Sequence, residues 1–154
     1  MAAAQGLWFM KYRRKINDNS VLAGNGSCIL WSGYRRRMKG GSVYGEVRAK
    51  LPGMASKKYG VHRLQYILYH LDDLNPKGDV SHLCHNSVCV SLDHLSLEDS
   101  SINKNRQICL AQGRCQGHGD FRNCMLELYL GKHAFKIPLP LVIILIALAG
   151  VSSH

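Results

Sequence analysis

The chain has 154 residues, enough for one domain with a core of its own and too few for two. Lys and Arg number 20 against 10 Asp and Glu, a formal charge of +10 gathered in clusters such as YRRRMK (Tyr34 to Lys39), which points to a polyanionic partner, nucleic acid ahead of a membrane surface. The opening MAAAQGLWFMKYRRK lacks the apolar core and cleavage site of a secretory signal, so we expect a reducing compartment, nuclear or otherwise intracellular, and six cysteines as thiols or thiolates rather than disulfides.

Residues 1–25, ending in the turn-like AGNGS, read as an arm or loose leader. CILWSGY (Cys28 to Tyr34) and VYGEVRAKL (Val43 to Leu51) then read as two strands separated by a basic, glycine-containing connection. A basic hairpin of this kind suits the major groove of DNA, where long Arg and Lys side chains reach base edges and phosphates. VHRLQYILYH (Val61 to His70) gathers Val61, Leu64, Tyr66, Ile67 and Leu68 largely on one side and predicts a core-packing helix, and LDDLNPKGD (Leu71 to Asp79) predicts a polar loop. Within LSLEDSSINKNRQ (Leu95 to Gln107), Ser96 and Asp99 form a loose N-terminal capping signature for a short helix that carries Asn103. The expected order in this half is strand, long loop, strand, helix, with His82 on the first strand. From Ile137 to Val151 the chain is uncharged but shorter than the roughly 20 apolar residues of a bilayer span, which argues against a membrane-spanning helix and leaves the role of this tail open. The expected division is an arm over 1–25, one domain over 26–124 and an apolar tail over 125–154.

The cysteines and histidines set the chemistry. In SHLCHNSVC (Ser81 to Cys89), Cys84 and Cys89 with His94 five residues on supply three zinc ligands, and Cys28 is the one unassigned cysteine before them. Further on, Cys109, Cys115, His118 and Cys124 form a second Cys3His set. The two sets consume all six cysteines. Each gives zinc four protein ligands and leaves no position for water, so both zincs are expected to be structural.

His82, His85 and Asn103 are left over. A neutral histidine on a strand beside a zinc loop can take a proton from water. An asparagine carbonyl is a hard donor suited to Mg2+, which keeps several waters and binds phosphate oxygens. Brought together on a strand and a helix, the two would suit hydrolysis of a phosphodiester.

The stretch from Ser81 to Cys109, SHLCHNSVCVSLDHLSLEDSSINKNRQIC, resembles the His-Cys box of homing endonucleases, a branch of the His-Me or ββα-metal nucleases related to HNH enzymes. The likeness lies in S-H-L-C-H-N, the C-x4-C-x4-H set, an Asn twenty-one residues after the first His and the Cys that follows; more loosely it runs from Cys28 to Cys124. The resemblance implies a small zinc-stabilised α+β nuclease fold with an upstream antiparallel hairpin or sheet. It also implies His82 as general base, Asn103 as magnesium ligand, the two zinc sets as partitioned above, and a magnesium-dependent endonuclease acting on double-stranded DNA to leave 5′ phosphate and 3′ hydroxyl ends. A sheet arginine near the scissile phosphate corresponds to Arg48 counted from Cys28, or to Lys50 counted back from His62. The alternative is a DNA-binding module of the same fold without efficient nuclease activity. The family's dimerisation tail has no counterpart after Cys124, which leaves a homodimer without its usual means of assembly.

Overall fold

The structure, a computed structural model, describes residues 2–24, 27–70 and 72–126. The apolar stretch Ile137–Val151 lies outside the described residues. The expected leader is instead a helix, α1 (Ala2–Asp18), followed by a short strand, β1 (Ser20–Leu22). Tyr12 and Ile16 stand four residues apart, hence on one helical face, and both are buried in the core. Tyr12 Oη also accepts a 2.8 Å hydrogen bond from the backbone N–H of Lys50. The helix ends where Asn19 and Ser20 turn their side chains back onto the carbonyls of Lys15 and Ile16, satisfying acceptors that the last turn leaves open.

The strand β2 (Ile29–Trp31) pairs antiparallel with β1 in the register Ser20↔Trp31. The expected pairing of CILWSGY with VYGEVRAKL does not form. The basic run itself becomes a strand, β3 (Arg35–Arg37), which pairs with β4 (Val43–Ala49), and β4 pairs in turn with β5 (Lys57–Gly60). Trp31 explains the switch: its buried indole lies across Gly33 and Gly45, and its Nε1–H donates to the carbonyl of Tyr34 at 2.9 Å. A Cβ at position 45 would sit 2.6 Å from Trp31 Cδ1, so the sheet accepts the indole only because that residue is glycine. The strand therefore ends at Trp31, and the chain re-enters a sheet at Arg35.

The helix α2 (Val61–Tyr69) follows β5 directly and forms where its apolar period predicts. Val61, Leu64, Ile67 and Leu68 are buried against Val47, Ala49, Leu51 and Tyr59 of the sheet side and against α1. The second half is an antiparallel pair, β6 (Asp79–His82) and β7 (Leu95–Glu98), followed by α3 (Ser100–Gln112). This is the expected strand, loop, strand, helix. Ser96 does not cap the helix, however: it lies within β7 opposite Ser81, and α3 starts after Asp99. The alternation of Leu95 and Leu97 with polar residues suits a strand, and the helix waits for the polar run that follows. The chain folds as α+β, with antiparallel sheets and two Cys/His clusters, one of which draws Cys28 from the first half.

Candidate active site and metal centres

Cys28 arrives from the start of β2, Cys84 and Cys89 from the loop after β6, and His94 from a 3₁₀ turn (Leu92–His94) that enters β7. All four are buried, and their ligand atoms lie within 4.8 Å of one another. His94 Nδ1 is 3.5 Å from Cys28 Sγ and 3.5 Å from Cys89 Sγ. A tetrahedral zinc with bonds of about 2.3 Å to sulfur and about 2.0–2.1 Å to nitrogen has N···S edges of roughly 3.5–3.6 Å, so the donor set fits that ion. The loop is tied at both ends: Leu83 N donates to His94 O at 2.8 Å, Cys89 N to Asn86 O at 2.9 Å, and Leu30 bridges to Cys89 from β2. His85 sits between the two loop cysteines with φ 55°, a left-handed turn that a β-carbon tolerates only at a cost of about 1–2 kcal/mol. The hydrogen bond between the two loop thiols divides them: it draws Cys89 down to about 5 and pushes Cys84 up. Thiols packed so closely compete for a proton, a conflict that a dication removes by taking both as thiolates.

The second cluster joins the end of α3 to the loop beyond it. His118 Nε2 lies 3.6 Å from Cys109 Sγ and 3.2 Å from Cys124 Sγ, and Cys124 N donates to Cys115 Sγ at 3.3 Å. Gly117 (φ 86°) and Gly119 (φ 61°) flank His118, and this permits the tight reversal that turns the imidazole back toward α3. Two Cys3His sites, each fit for a structural zinc, therefore stand in the fold, and all six cysteines are free of disulfides.

Between the clusters, the start of β4, the start of α2, β6 and α3 enclose a cleft of about 450 Å³. His82 and Asn103, twenty-one residues apart in sequence, both line it, as do His62, Arg63, Asp79 and His85. His82 Nε2 lies 3.1 Å from the carbonyl of Cys89. A carbonyl only accepts, so Nε2 carries the proton and the lone pair of the neutral ring is on Nδ1. Burial, followed by the neighbouring His62, holds His82 well below its ordinary 6.5 and keeps that lone pair available at neutral pH. The His62 ring is 4.5 Å from that of His82, with Tyr44 close to both, and burial with the adjacent Arg63 lowers His62 to about 4. Arg63 is braced by the carbonyls of Gly78, at 2.8 Å, and Pro76.

The family described as the zinc-binding loop region of homing endonuclease matches residues 27–133. The chain belongs to this family. Its match covers more than two thirds of the sequence and takes in both Cys3His clusters and the cleft between them. No curated protein and no solved structure matches the chain.

Not every residue expected at the site reaches it. Arg48 is exposed on β4 and lines a different cleft, with Lys15, Trp31, Glu46 and Lys58, while Lys50 is an exposed residue just beyond the same strand. Arg63 is the arginine that lines the cleft holding His82 and Asn103. Sequence reading also missed two contacts within the homing-endonuclease zinc region. Asn103 Nδ2 donates to Asp79 Oδ2 at 3.1 Å, across twenty-four positions. Arg106, fully buried, grips the Glu98 carboxylate and reaches the Arg122 carbonyl and Cys124 Sγ, joining β7 and α3 to the second cluster. Charged residues in a polar helix read as a solvated face, and nothing local distinguishes Arg106 from its neighbours.

Proposed function

We propose that the chain is a magnesium-dependent DNA endonuclease in which both zincs are structural and the cleft between them hydrolyses phosphodiester bonds, leaving 5′ phosphate and 3′ hydroxyl ends. The observation that carries this reading is the shared cleft: His82, with Nε2 committed to Cys89 O and its lone pair therefore on Nδ1, lines the same cleft as Asn103. His82 takes a proton from the attacking water at Nδ1. Asn103 Oδ1 would hold the magnesium, a hard amide oxygen suited to a hard ion. When bound, magnesium supplies positive charge to the phosphate and the departing oxygen. Membership of a homing-endonuclease family and a charge of +10 support double-stranded DNA as the substrate, and a nuclear or other intracellular setting follows from that substrate. Arg35 to Arg37, exposed along β3, would track the phosphate backbone beside the cleft, and Arg48 is assigned to the same docking role rather than to the scissile phosphate. The nuclease unit is assigned to 26–124 with α1 packed on it, and 125–154 is left outside it.

Supercoiled plasmid, Mg2+ and zinc-loaded protein test the reading. Wild type nicks, and His82→Ala and Asn103→Ala lose at least a hundredfold in rate while still retarding DNA in a gel. Equal nicking by all three proteins sinks the assignment. DNA binding with no nicking by any of them leaves a zinc-stabilised DNA-binding module.

A further inference from the structure

We infer that Asp79 and Asn103 together form the divalent-cation site of the cleft, with Asp79 as the positioning residue that turns the Asn103 amide and supplies the site's negative charge. The inference rests on the magnesium role proposed for Asn103 and extends it to a residue that the sequence motif does not contain.

A side-chain amide has two nearly equivalent ends, and only its partners decide which end faces where. Here the partner is a carboxylate, which accepts and cannot donate. The 3.1 Å contact between Asn103 and Asp79 Oδ2 must therefore use the Asn103 NH2 group, and this turns Oδ1 away from Asp79. With any donor in place of Asp79 the amide would flip and offer its NH2 to the cleft, where it repels a cation.

Asp79 is itself held in place. Gly78, at φ 101°, brings the chain so close to β7 that a Cβ there would lie 2.7 Å from the carbonyl oxygen of Glu98. Asp79 is then registered opposite Glu98 at the start of β6, and Arg63 ties the Gly78 carbonyl to α2. The carboxylate stands on a strand end braced from two sides, which is the rigidity a cation site requires.

Charge makes the same case. Asp79 is the one carboxylate among the residues lining this cleft, which otherwise presents Arg63, three histidines and neutral groups. A bare carboxylate facing a phosphodiester is repulsive, and a chain of this net charge gains nothing by placing one there unless a dication lies between them. Asn103 Oδ1 is a hard oxygen donor of the kind Mg2+ takes while keeping several of its waters, and the Asp79 carboxylate beside it can accept hydrogen bonds from those waters and offset the ion's charge.

Cation binding to the full, zinc-loaded chain without DNA tests this directly, with Mn2+ as a paramagnetic probe displaced by Mg2+. Wild type is expected to show one Mn2+ site that Mg2+ displaces. Asp79→Asn, which removes the charge at constant size, and Asp79→Ser are expected to weaken it at least tenfold, with two zincs per chain retained. Asn103→Ala behaves likewise, and the control Asp18→Asn, on α1, binds as wild type. Nicking by Asp79→Asn is expected to need at least tenfold more Mg2+ while its maximal rate falls less. If Asp79→Asn and Asp79→Ser bind Mn2+ as tightly as wild type, or wild type shows no site, the inference is wrong. Its failure and that of the endonuclease reading separate cleanly. Nicking that depends on Asn103 but not on Asp79 removes this inference and keeps the enzyme. An Asp79-dependent Mn2+ site in a protein that never nicks does the reverse.

Discussion

Arg106 and Glu98 form a buried ion pair, with Nη2 2.7 Å from Oε2 and Nε 2.8 Å from Oε1, and neither side chain reaches solvent. The two-point geometry satisfies both carboxylate oxygens, and the remaining guanidinium nitrogen reaches toward Cys124 Sγ. Charges taken this far from water stabilise a fold only when fully paired, and breaking such a pair costs about 3–5 kcal/mol. Glu98→Gln and Arg106→Met should each lower the urea midpoint accordingly. The apolar double variant Glu98→Leu, Arg106→Met should recover part of the loss, because no charge is left stranded. If both single variants unfold with wild type, the pair contributes nothing.

Zinc content follows from the two clusters. Because each site closes with ligands from separate parts of the chain, removing one ligand opens that site alone. Metal released by a thiol-modifying reagent is expected to fall from two zincs per chain to one in Cys89→Ala and likewise in Cys124→Ala. Substitution with Co2+ should give the intense visible bands of a tetrahedral thiolate site in both variants. A chelator should unfold the chain cooperatively, as far-ultraviolet circular dichroism would report.

His62 gives stability a pH dependence of definite sign. Its pKa falls from 6.5 to about 4 on folding, through burial and then Arg63. The unfolded chain therefore binds the proton more readily, and stability drops as pH falls from about 6.5 toward 4, by at most about 3 kcal/mol. Zinc ligands also protonate in acid, so the comparison is with His62→Gln, whose curve should be flatter over that window. Parallel curves would show that folding does not lower the His62 pKa.

Gly45→Ala is a test of the Trp31 platform. The added methyl would lie 2.6 Å from the indole, and overpacking of this kind typically costs about 1–3 kcal/mol. Thermal unfolding of zinc-loaded protein measures it. Gly41→Ala, where no atom lies within 4 Å, is a poor control because φ there is 85°; Gly40→Ala, with open space and ordinary φ, should be nearly neutral.

Neutralising Arg35, Arg36 and Arg37 together should weaken DNA binding and reduce the steepness of its salt dependence, since each phosphate contact releases counterions. Arg36 also pairs with the buried Glu46, which Lys58 holds as well, so the triple variant should keep its fold. An unchanged salt slope would make β3 a merely solvated edge.

What could be read directly was chemistry tied to residue type. Sulfur and nitrogen donors spaced C-x4-C-x4-H, and again C-x5-C-x2-H-x5-C, serve few purposes other than soft-metal binding, so both clusters were legible, as was the need for Cys28, sixty-six residues before His94. Helix α2 was equally legible, because apolar residues at i, i+3, i+6 and i+7 share one face of a helix and not of a strand. Only the tertiary structure decided where generic residues go. Helix α1 looked like a leader because Tyr12 and Ile16 are too few to mark an apolar face, and their burial depends on a sheet that forms later in the chain. Arg48 matched by counting, but strand pairing turned it toward another cleft. Asp79 and Arg106 are ordinary surface residue types; their meaning arises from Asn103 and Glu98, partners that no local pattern specifies and that β6, β7 and α3 bring within hydrogen-bonding reach.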